Sequence, residues 1–493
     1  MMWSSKQTVR VLAKGGILTP SFLLNILRIA QLSGNKHVSF GSRQDVLFNV
    51  SPNQMGVVEN AFNESQIDYI IHRRKGQKFQ NIVSSYVSSD LMPSVKWLSS
   101  GNYLQILDNF KYQPMLRVNI IDPVQSLVPY FFGHLNFIAS SIQDYWYLYI
   151  RKDEQSMPVR WPLLILGNDI ASVAQCIEQQ WKLMNGGSVS EWFELVQGLC
   201  QYNGRRIEAE LPLDFKYPFD YEGFNKMYNS QNYWAGFYWR NNSYDIAFLE
   251  EMCQLCFQTG ISKICLTPWK SFVVKEVKEK DILQWNRLLG RSGITMRHSI
   301  FDLNWHLPLN DKHALRLKRN VVKWFDKSDV CVHGLTFGIK TKPEPDFYSI
   351  KIDYKPGVKF LGRFDIFESY TISYAKNFNP NLCEYIDYAR QVPHHRVAGV
   401  LQAVSKKFFG QLSALPTTNI QIPKQEGNEA YIVHQCKHCL TVYDPTVGIP
   451  EQNIVSNTAF AELPGSFSCP LCEAPKSDFY SISIDKLIKQ SIQ

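Results

Sequence analysis

Four cysteines near the carboxyl end are the residues of this sequence that are best suited to chemistry. They form two CxxC pairs, Cys436/Cys439 and Cys469/Cys472, separated by a loop rich in Pro, Gly, Asn and Ser. A CxxC turn places two thiolates on one metal ion, and two such turns complete a tetrahedral site of four sulfurs. Four thiolates in that geometry suit either iron or zinc. The spacing therefore predicts a metal centre and leaves the metal open.

The segment around these pairs contains further residues of a known pattern. Tyr443-Asp444-Pro445 follows the first pair, Ala461-Glu462-Leu463-Pro464 precedes the second, and Lys476-Ser477-Asp478-Phe479 follows it. With these residues, the stretch from Tyr431 to Tyr480 resembles rubredoxin, a small one-iron electron carrier. The resemblance implies that the four cysteines bind one iron that cycles between Fe(II) and Fe(III). It also implies a small shielding core of aromatic residues: Tyr443, Phe460, Phe467 and Phe479.

Three positions depart from the rubredoxin pattern. Rubredoxins usually have glycine directly after each pair, because the backbone turns there with a positive φ, whereas this chain has Leu440 and Glu473. Phe467 stands where the family usually has tryptophan. The site is still expected to form, and the departures bear on its stability and its potential, which depend on burial and N–H···S hydrogen bonds. A zinc ribbon without a redox role is the alternative interpretation.

The length and composition of the chain indicate a protein of several domains with ample core material. It has 493 residues, of which 45% are hydrophobic and 13% aromatic. The apolar runs are too short to span a membrane, and the first residues lack the apolar core of a secretory signal. Seven further cysteines are scattered along the chain, and an odd number of unpaired thiols suits a reducing compartment. We therefore expect a cytoplasmic protein without a membrane partner.

The net charge of +8 is unevenly distributed. Residues 425–493 contain eight acidic and four basic residues, so this tail carries about −4 and the rest of the chain about +12. Opposite charges can dock the metal module on the body or steer it to a basic partner. The sequence contains no long Lys/Arg run and no RNA-binding signature, so a nucleic-acid partner is not expected.

Residues 8–74 have the pattern strand, helix, hairpin, helix, strand. Thr19-Pro20 begins the first helix, since proline suits the first turn. Two alternating strands follow on either side of the turn Gly41-Ser42-Arg43-Gln44, and a second helix begins at Ser51-Pro52. This order is the βαββαβ arrangement of a ferredoxin-like half-domain.

The pattern returns between residues 245 and 298. Gly34 and Gly260 are equivalent at an offset of 226 residues, and at this offset Val38 aligns with Ile264 and Leu47 with Val273. The sequence therefore predicts an internal duplication.

The duplicated half-domain resembles the siroheme-dependent nitrite and sulfite reductases. The likeness rests on Gly15-Gly16-Ile17-Leu18 and on the stretch from Val38 to Phe48. In that family an arginine of this turn points at the siroheme, and basic residues bind the carboxylates of the macrocycle and the oxyanion. The resemblance implies a remnant anion-binding or siroheme-binding cleft, with solvated surface charge as the alternative. The candidate residues are Arg43, Arg73, Arg74, Lys75 and Arg117.

The cysteines of the family's iron–sulfur cluster are missing. Ser99-Ser100-Gly101-Asn102 stands where the first is expected, and Asp122 to Ser126 replaces the second CxxxC pair. A [4Fe–4S] cluster needs four thiolates, and the hard oxygens of Asp122 and Ser126 are poor substitutes. Neither the cluster nor siroheme is therefore expected, nor is six-electron reduction, and no catalytic residue is assigned.

Other cysteines and histidines are expected to be structural. Cys253 and Cys256 are one helical turn apart on an apolar face, where thiols behave as small hydrophobic groups. Metal roles for His394, His395, His434 and His438 are not expected.

The fold class is α+β: duplicated ferredoxin-like half-domains with siroheme-reductase-like α/β domains, plus a small rubredoxin-like metal domain. The predicted domains are the first half-domain 1–76, a degenerate siroheme/4Fe–4S-like region 77–215, the second half-domain 216–298, a degenerate reductase-like region 299–410, a linker 411–429 and the metal domain 430–484.

The sequence is consistent with two main functions. The first is an iron-binding electron-transfer protein that takes electrons from a reductase and passes them to an acceptor redox protein. The second is an oxidoreductase whose body still binds siroheme. A zinc-ribbon interaction protein is a third interpretation.

Overall fold

The chain forms two compact units, Met1–Leu412 and Ser413–Gln493. The first unit is the body, and the second is the metal unit. The computed structural model describes the backbone of residues 6–71, 81–153, 156–183, 187–215, 223–228, 230–239, 241–294, 304–309, 311–341, 346–360, 364–366, 368–414, 432–449, 452, 454–455 and 457–483. Arg73, Arg74, Lys75, residues 295–298 of the predicted second half-domain and most of the predicted linker lie outside these residues. The boundaries between the predicted domains of the body stay predictions.

The helices and strands of the body follow in alternating order. The helices are α1 (Pro20–Leu32), α2 (Met55–Glu64), α3 (Ser100–Asn109), α4 (Ile170–Gln180), α5 (Val189–Leu199), α6 (Ile246–Thr259), α7 (Ile282–Arg291), α8 (Lys312–Lys327) and α9 (Val397–Ala414), the last of which ends in the metal unit. The strands of the half-domains are β1 (Gln7–Leu12), β2 (Ile17–Leu18), β3 (His37–Phe40), β4 (Asp45–Val50), β5 (Tyr69–Ile71), β13 (Phe224–Lys226), β14 (Tyr233–Phe237), β15 (Tyr244–Asp245), β16 (Ile264–Leu266) and β17 (Phe272–Val277).

Two further sheets complete the body. One contains β6 (Ile82–Ser84), β7 (Val118–Ile121), β8 (Leu135–Ala139), β9 (Tyr145–Ile150), β10 (Val159–Arg160), β11 (Leu163–Leu166) and β12 (Gly204–Arg206). The other contains β18 (Trp305–His306), β19 (Phe337–Lys340), β20 (Ile350–Lys355), β23 (Ser369–Ala375) and β24 (Tyr385–Val392), and a separate hairpin pairs β21 (Val358–Phe360) with β22 (Phe364–Ile366).

The first half-domain has the predicted ferredoxin-like topology. Its sheet has the strand order β15-β3-β4-β1-β5, and every pairing in it is antiparallel. The side chain of Thr19 accepts a hydrogen bond from the backbone N–H of Phe22 and so caps α1, with Pro20 in the first turn. The apolar face of α1 is buried against the sheet, as its 3.6-residue periodicity predicts.

The second half-domain repeats the first at an offset of 226 residues. Its sheet has the order β13-β14-β17-β16-β2. Gly34 and Gly260, which follow the equivalent helices, both have a positive φ, 73° and 77°. The two hairpin turns are equivalent as well, since Gln44 and Lys270 have φ values of 55° and 62°. The structure thus confirms the duplicated architecture.

The two half-domains exchange short edge strands. β2 precedes α1 in the first copy but pairs with β16 of the second, and β15 precedes α6 in the second copy but pairs with β3 of the first. One apolar core accordingly includes residues of both half-domains, such as Leu23, Phe40, Leu249 and Phe272. The two half-domains therefore share one apolar core, consistent with an α+β body.

The metal unit is small. Its antiparallel sheet has the order β26-β25-β27, formed by Val442–Tyr443, Ile432–Cys436 and Phe479–Ser483. Its core contains two of the four cysteines, Cys436 and Cys469. In the described part of the chain, no helix combines the length and the apolar character needed to cross a membrane.

Candidate metal centre

The sulfur atoms of Cys436, Cys439, Cys469 and Cys472 all lie within 4.8 Å of one another. Cys436 Sγ is 3.6 Å from Cys472 Sγ, and Cys439 Sγ is 3.4 Å from Cys469 Sγ. Four sulfurs at about 2.3 Å from a tetrahedral ion are about 3.8 Å apart, so these thiols are already arranged for one ion. Among the described residues, this is the single group of three or more Cys, His, Asp or Glu side chains with such a geometry.

Each CxxC pair is closed by a tight turn of the same form. The N–H of Leu440 donates to Cys436 O at 3.1 Å, and the N–H of Glu473 donates to Cys469 O at 2.9 Å. Leu440 and Glu473 have positive φ values, 62° and 59°. These are the positions where the rubredoxin pattern has glycine, so the chain keeps the backbone conformation without the residue that adopts it most easily.

The turns direct hydrogen-bond donors at sulfur. The hydroxyl of Thr441 is 3.0 Å from Cys439 Sγ, and this contact, together with the N–H of Thr441, lowers the pKa of Cys439 to about 6. The N–H of Ala474 acts in the same direction on Cys472, but the neighbouring cysteines outweigh it and raise the pKa of Cys472 to about 12. The two shifts have opposite signs because crowded thiols titrate as a group, and a cation at the centre favours the thiolate of all four.

The four predicted aromatic residues pack together beside the cysteines. Phe460 and Phe467 each contact Tyr443 and Phe479, with ring centroids between 5.5 and 6.1 Å apart. His434 stacks on Phe460 at 4.0 Å, and His438 lies 2.9 Å from the carboxylate of Asp478. The aromatic core is therefore confirmed, and both histidines have partners other than the sulfurs.

Replacing Leu440 or Glu473 with glycine is expected to stabilise the metal unit by about 0.5–1 kcal/mol each. A residue with a Cβ in the left-handed region costs about 1–2 kcal/mol, part of which is offset because glycine loses more entropy on folding. Leu440 is 61% exposed, so little apolar burial is lost. The measurement is urea unfolding of the metal-loaded protein, followed by the absorbance of the centre.

Leu471→Gly is the matched control for this prediction. Leu471 is 73% exposed and also neighbours a cysteine, but it is not among the residues with a positive φ. Glycine there is expected to lower the unfolding midpoint slightly. Equal effects at positions 440 and 471 would show that backbone strain is not the cause.

Arg43, a predicted cofactor-binding residue, is buried within the body. Its guanidinium donates to Asn119 Oδ1 at 2.6 Å, to Asn81 O at 2.6 Å and to Val118 O at 2.9 Å. It also lies over the ring of Phe132, 5.0 Å from the centroid. Burial, with Arg117 nearby, holds the pKa of Arg43 well below its usual value. Its two terminal nitrogens donate to acceptors of the protein, which favours a structural role.

Arg117 lies beside His134. The backbone N–H of Arg117 donates to His134 Nδ1 at 2.9 Å, and the guanidinium Nη2 of Arg117 is 3.2 Å from His134 Nε2. Burial and the charge of Arg117 lower the pKa of His134 to about 3, so the imidazole is neutral near pH 7. Binding of an anion or of siroheme by Arg43 and Arg117 stays a prediction.

The positions of the missing cluster cysteines are used for backbone hydrogen bonds. Asp122 Oδ1 accepts from the N–H of Val124 at 2.8 Å, and the side chain of Gln125 bonds both the N–H and the carbonyl of Val128. The N–H of Ser99 donates to Asn102 Oδ1 at the start of α3. These residues do not fit the four-thiolate ligand set of a [4Fe–4S] cluster.

Cys253 and Cys256 lie in the apolar core, as predicted. Both are fully buried on α6, and burial raises the pKa of Cys256 to about 12. A thiol with so high a pKa is a poor metal ligand or nucleophile at neutral pH.

The chain is similar in fold to a solved structure over most of its length. The structure of the NirA protein of Mycobacterium tuberculosis matches with a TM-score of 0.64 at 12% identity, over 82% of this chain and 81% of that chain. At this identity the likeness shows the fold alone. It confirms the nitrite/sulfite reductase-like architecture inferred from the duplicated half-domains.

The metal unit has clear relatives. Residues 433–479 match the family model described as Rubredoxin. Rubredoxin 4 of Rhodococcus sp. (strain Q15) is 39% identical over 56 residues, which are 11% of this chain and 93% of that protein. High molecular weight rubredoxin of Moorella thermoacetica is 40% identical over 67 residues, 14% of this chain and 29% of that protein. Through its C-terminal unit, the chain belongs to the rubredoxin family, and the four-cysteine site of that unit supports iron-dependent electron transfer.

Proposed function

We propose that Cys436, Cys439, Cys469 and Cys472 bind one iron ion and that the chain carries single electrons from a reductase to an acceptor redox protein. The observation that carries the proposal is the cluster of four sulfurs within 4.8 Å in a unit of the rubredoxin family. When bound, iron supplies a one-electron couple between Fe(II) and Fe(III). The zinc ribbon has the same ligands and is separated from this proposal by experiment.

The four cysteines of the metal unit differ in how far they are exposed to solvent. Cys436 and Cys469 are buried on the side of the aromatic core, whereas Cys439 is half-buried and Cys472 is exposed. Cys472 and the half-buried Cys439, which is followed by the exposed Leu440, are thus the cysteines closest to solvent and offer a partner a short path to sulfur. The N–H groups of Thr441 and Ala474 would stabilise the thiolates, because hydrogen bonds to the charged form favour it.

The body would supply a docking surface, and α8 has features that suit an acidic partner. Five cations follow one another at intervals of three or four residues along α8 and are all exposed: Lys312, Arg316, Arg319, Lys323 and Lys327. They form a stripe about 22 Å long, since a helix rises 1.5 Å per residue. In the described part of the chain, none of the five has a carboxylate within ion-pair distance. The opposite face of α8 is buried in the body.

This basic stripe has a cost to the fold. Four pairs within it are like charges at i,i+3 or i,i+4, and each such pair destabilises a helix by about 0.2–0.5 kcal/mol.

The stripe exposes no large apolar side chain for insertion into a membrane. It also presents no exposed aromatic ring for stacking on bases. An acidic protein surface is therefore the partner that the stripe fits best.

Reversing three charges of the stripe is expected to weaken binding of an acidic redox protein about tenfold. The variant is Lys312→Glu/Arg319→Glu/Lys323→Glu. The matched control is Lys278→Glu/Lys280→Glu/Arg287→Glu, which changes three exposed cations outside α8 and has the same total change of charge. Three surface pairs at about 0.5 kcal/mol each give this factor. The measurement is titration of the full chain with a purified acidic ferredoxin at low and high salt. Equal losses in both variants, or tighter binding of duplex DNA than of the ferredoxin at equal salt, would contradict this assignment.

The test of the proposed function is a visible spectrum with metal analysis on one sample of the full chain purified with iron. Sulfur-to-iron charge-transfer bands that bleach on reduction, with one iron per chain, are expected. A colourless protein with one zinc would refute the proposal. A Soret-type band with nitrite or sulfite turnover would favour the siroheme-dependent oxidoreductase, with which the NirA-like body is compatible. The cytoplasmic location inferred from the scattered thiols stays a prediction.

A further inference from the structure

The side chain of Gln435 connects strand β25 to the turn that follows the first cysteine pair. Its Nε2 donates to Leu440 O at 3.0 Å, and its Oε1 accepts from the hydroxyl of Tyr480 on the neighbouring strand β27. Gln435 is only 8% exposed. Since the carbonyl of Leu440 can only accept, these two contacts fix which end of the amide carries the nitrogen.

This contact reaches the metal centre through one peptide group. The carbonyl of Leu440 and the N–H of Thr441 belong to the same planar unit. The hydroxyl of Thr441 lies 3.0 Å from the sulfur of Cys439, and the N–H of Thr441 acts on the same thiol and lowers its pKa. A donor on the carbonyl oxygen holds the plane in place and polarises the N–H at its other end, because consecutive hydrogen bonds strengthen one another.

The second cysteine pair has no equivalent of this contact. Ser468 occupies the position before Cys469 that Gln435 occupies before Cys436. Within the described residues of the metal unit, no side chain donates to the carbonyl of Glu473. The two turns share their backbone geometry but differ in their side chains: the first has the amide of Gln435 and the hydroxyl of Thr441, where the second has Ser468 and Ala474.

We infer that Gln435, held by Tyr480, is a positioning residue for electron transfer that raises the reduction potential of the centre through the Leu440–Thr441 peptide. The inference rests on the proposed iron centre and concerns this chain's own residues. Reduction adds one negative charge to the four-sulfur site, and a stronger N–H···S bond stabilises the reduced form more than the oxidised form. The contact also opposes the strain that the positive φ of Leu440 introduces.

The test compares Gln435→Met, Tyr480→Phe and Ser468→Ala in the full chain. Methionine keeps the length of the side chain and removes the donor, and phenylalanine removes only the hydroxyl. Spectroelectrochemical titration of the iron-loaded proteins is expected to show the equilibrium shifted toward the oxidised form by up to about tenfold for Gln435→Met, which is 59 mV for one electron. Tyr480→Phe is expected to shift it less in the same direction, and Ser468→Ala is expected to leave it unchanged.

A second measurement reports the peptide itself. In zinc-substituted protein, amide hydrogen exchange at Thr441 is expected to be faster in Gln435→Met and Tyr480→Phe than in the parent, with Ala474 unchanged. Potentials equal to the parent in both variants, with the charge-transfer bands intact, would overturn the inference and leave the proposed function standing. A parent protein that takes up only zinc would overturn both. If Gln435→Met does not bind iron, the reduction potential of Tyr480→Phe tests the inference instead, and a potential equal to that of the parent would overturn it.

Discussion

Replacing Cys469 with alanine is expected to abolish the iron centre, with the iron content falling from one per chain to below a tenth. Cys469 is 1% exposed, and its sulfur lies 3.4 Å from that of Cys439. A tetrahedral site of four sulfurs cannot be completed by three, and no other Cys, His, Asp or Glu of the described residues joins the cluster. Since metal binding and folding of such small units are coupled, the metal unit is also expected to lose its cooperative unfolding transition.

The control for this experiment is Cys331→Ala. Cys331 is an exposed cysteine of the body, so its removal lowers the thiol count equally without touching the centre. The iron content and the visible spectrum of this variant are expected to match those of the parent. Iron retained at the parental ratio in Cys469→Ala would show that the metal is bound elsewhere.

The ligands of the centre could be predicted from the sequence because they are local. A CxxC turn fixes the spacing of two sulfurs whatever surrounds it, and the residue after each pair must turn with a positive φ. The structure places Leu440 and Glu473 in that conformation even though neither is glycine. The contact of Gln435 with Tyr480 was not predicted, because it depends on the register of β25 with β27, which pairs residues 45 positions apart. A polar residue directly before a buried cysteine in a strand was the available signal.

The fold, like the metal centre, could be predicted from the sequence only where it depends on local patterns. The duplicated half-domains could be predicted from the offset of 226 residues and from the alternating strands around the hairpin turn, since both are local patterns. The exchange of β2 and β15 between the halves was not predicted, because strands of two residues carry no periodicity of their own. The burial of Arg43 was not predicted either. Its acceptors lie up to 76 positions away, so its environment depends on the packing of β7 against the hairpin turn.

Replacing Arg43 with alanine is expected to destabilise the body by about 3–5 kcal/mol, whether or not any cofactor is present. The change removes the donor for Asn119 Oδ1, Asn81 O and Val118 O and leaves these buried acceptors without it. An acceptor left unsatisfied in the interior costs about 1–3 kcal/mol, and partial rearrangement recovers some of this sum. The measurement is urea unfolding of the body, followed by tryptophan fluorescence.

Two further variants separate a structural role of Arg43 from a cofactor-binding role. Arg28→Ala removes an exposed arginine of α1 and is expected to change the stability by less than about 0.5 kcal/mol. Arg43→Lys keeps a positive charge but not the planar fork that reaches several acceptors, so it is expected to lose most of the stability that alanine loses. If charge alone mattered, as for a site that attracts an anion, lysine would restore the parental stability. An unchanged unfolding midpoint in Arg43→Ala would contradict the structural role of Arg43 and favour the predicted ligand-binding role, because a side chain that does not stabilise the fold can be removed without cost.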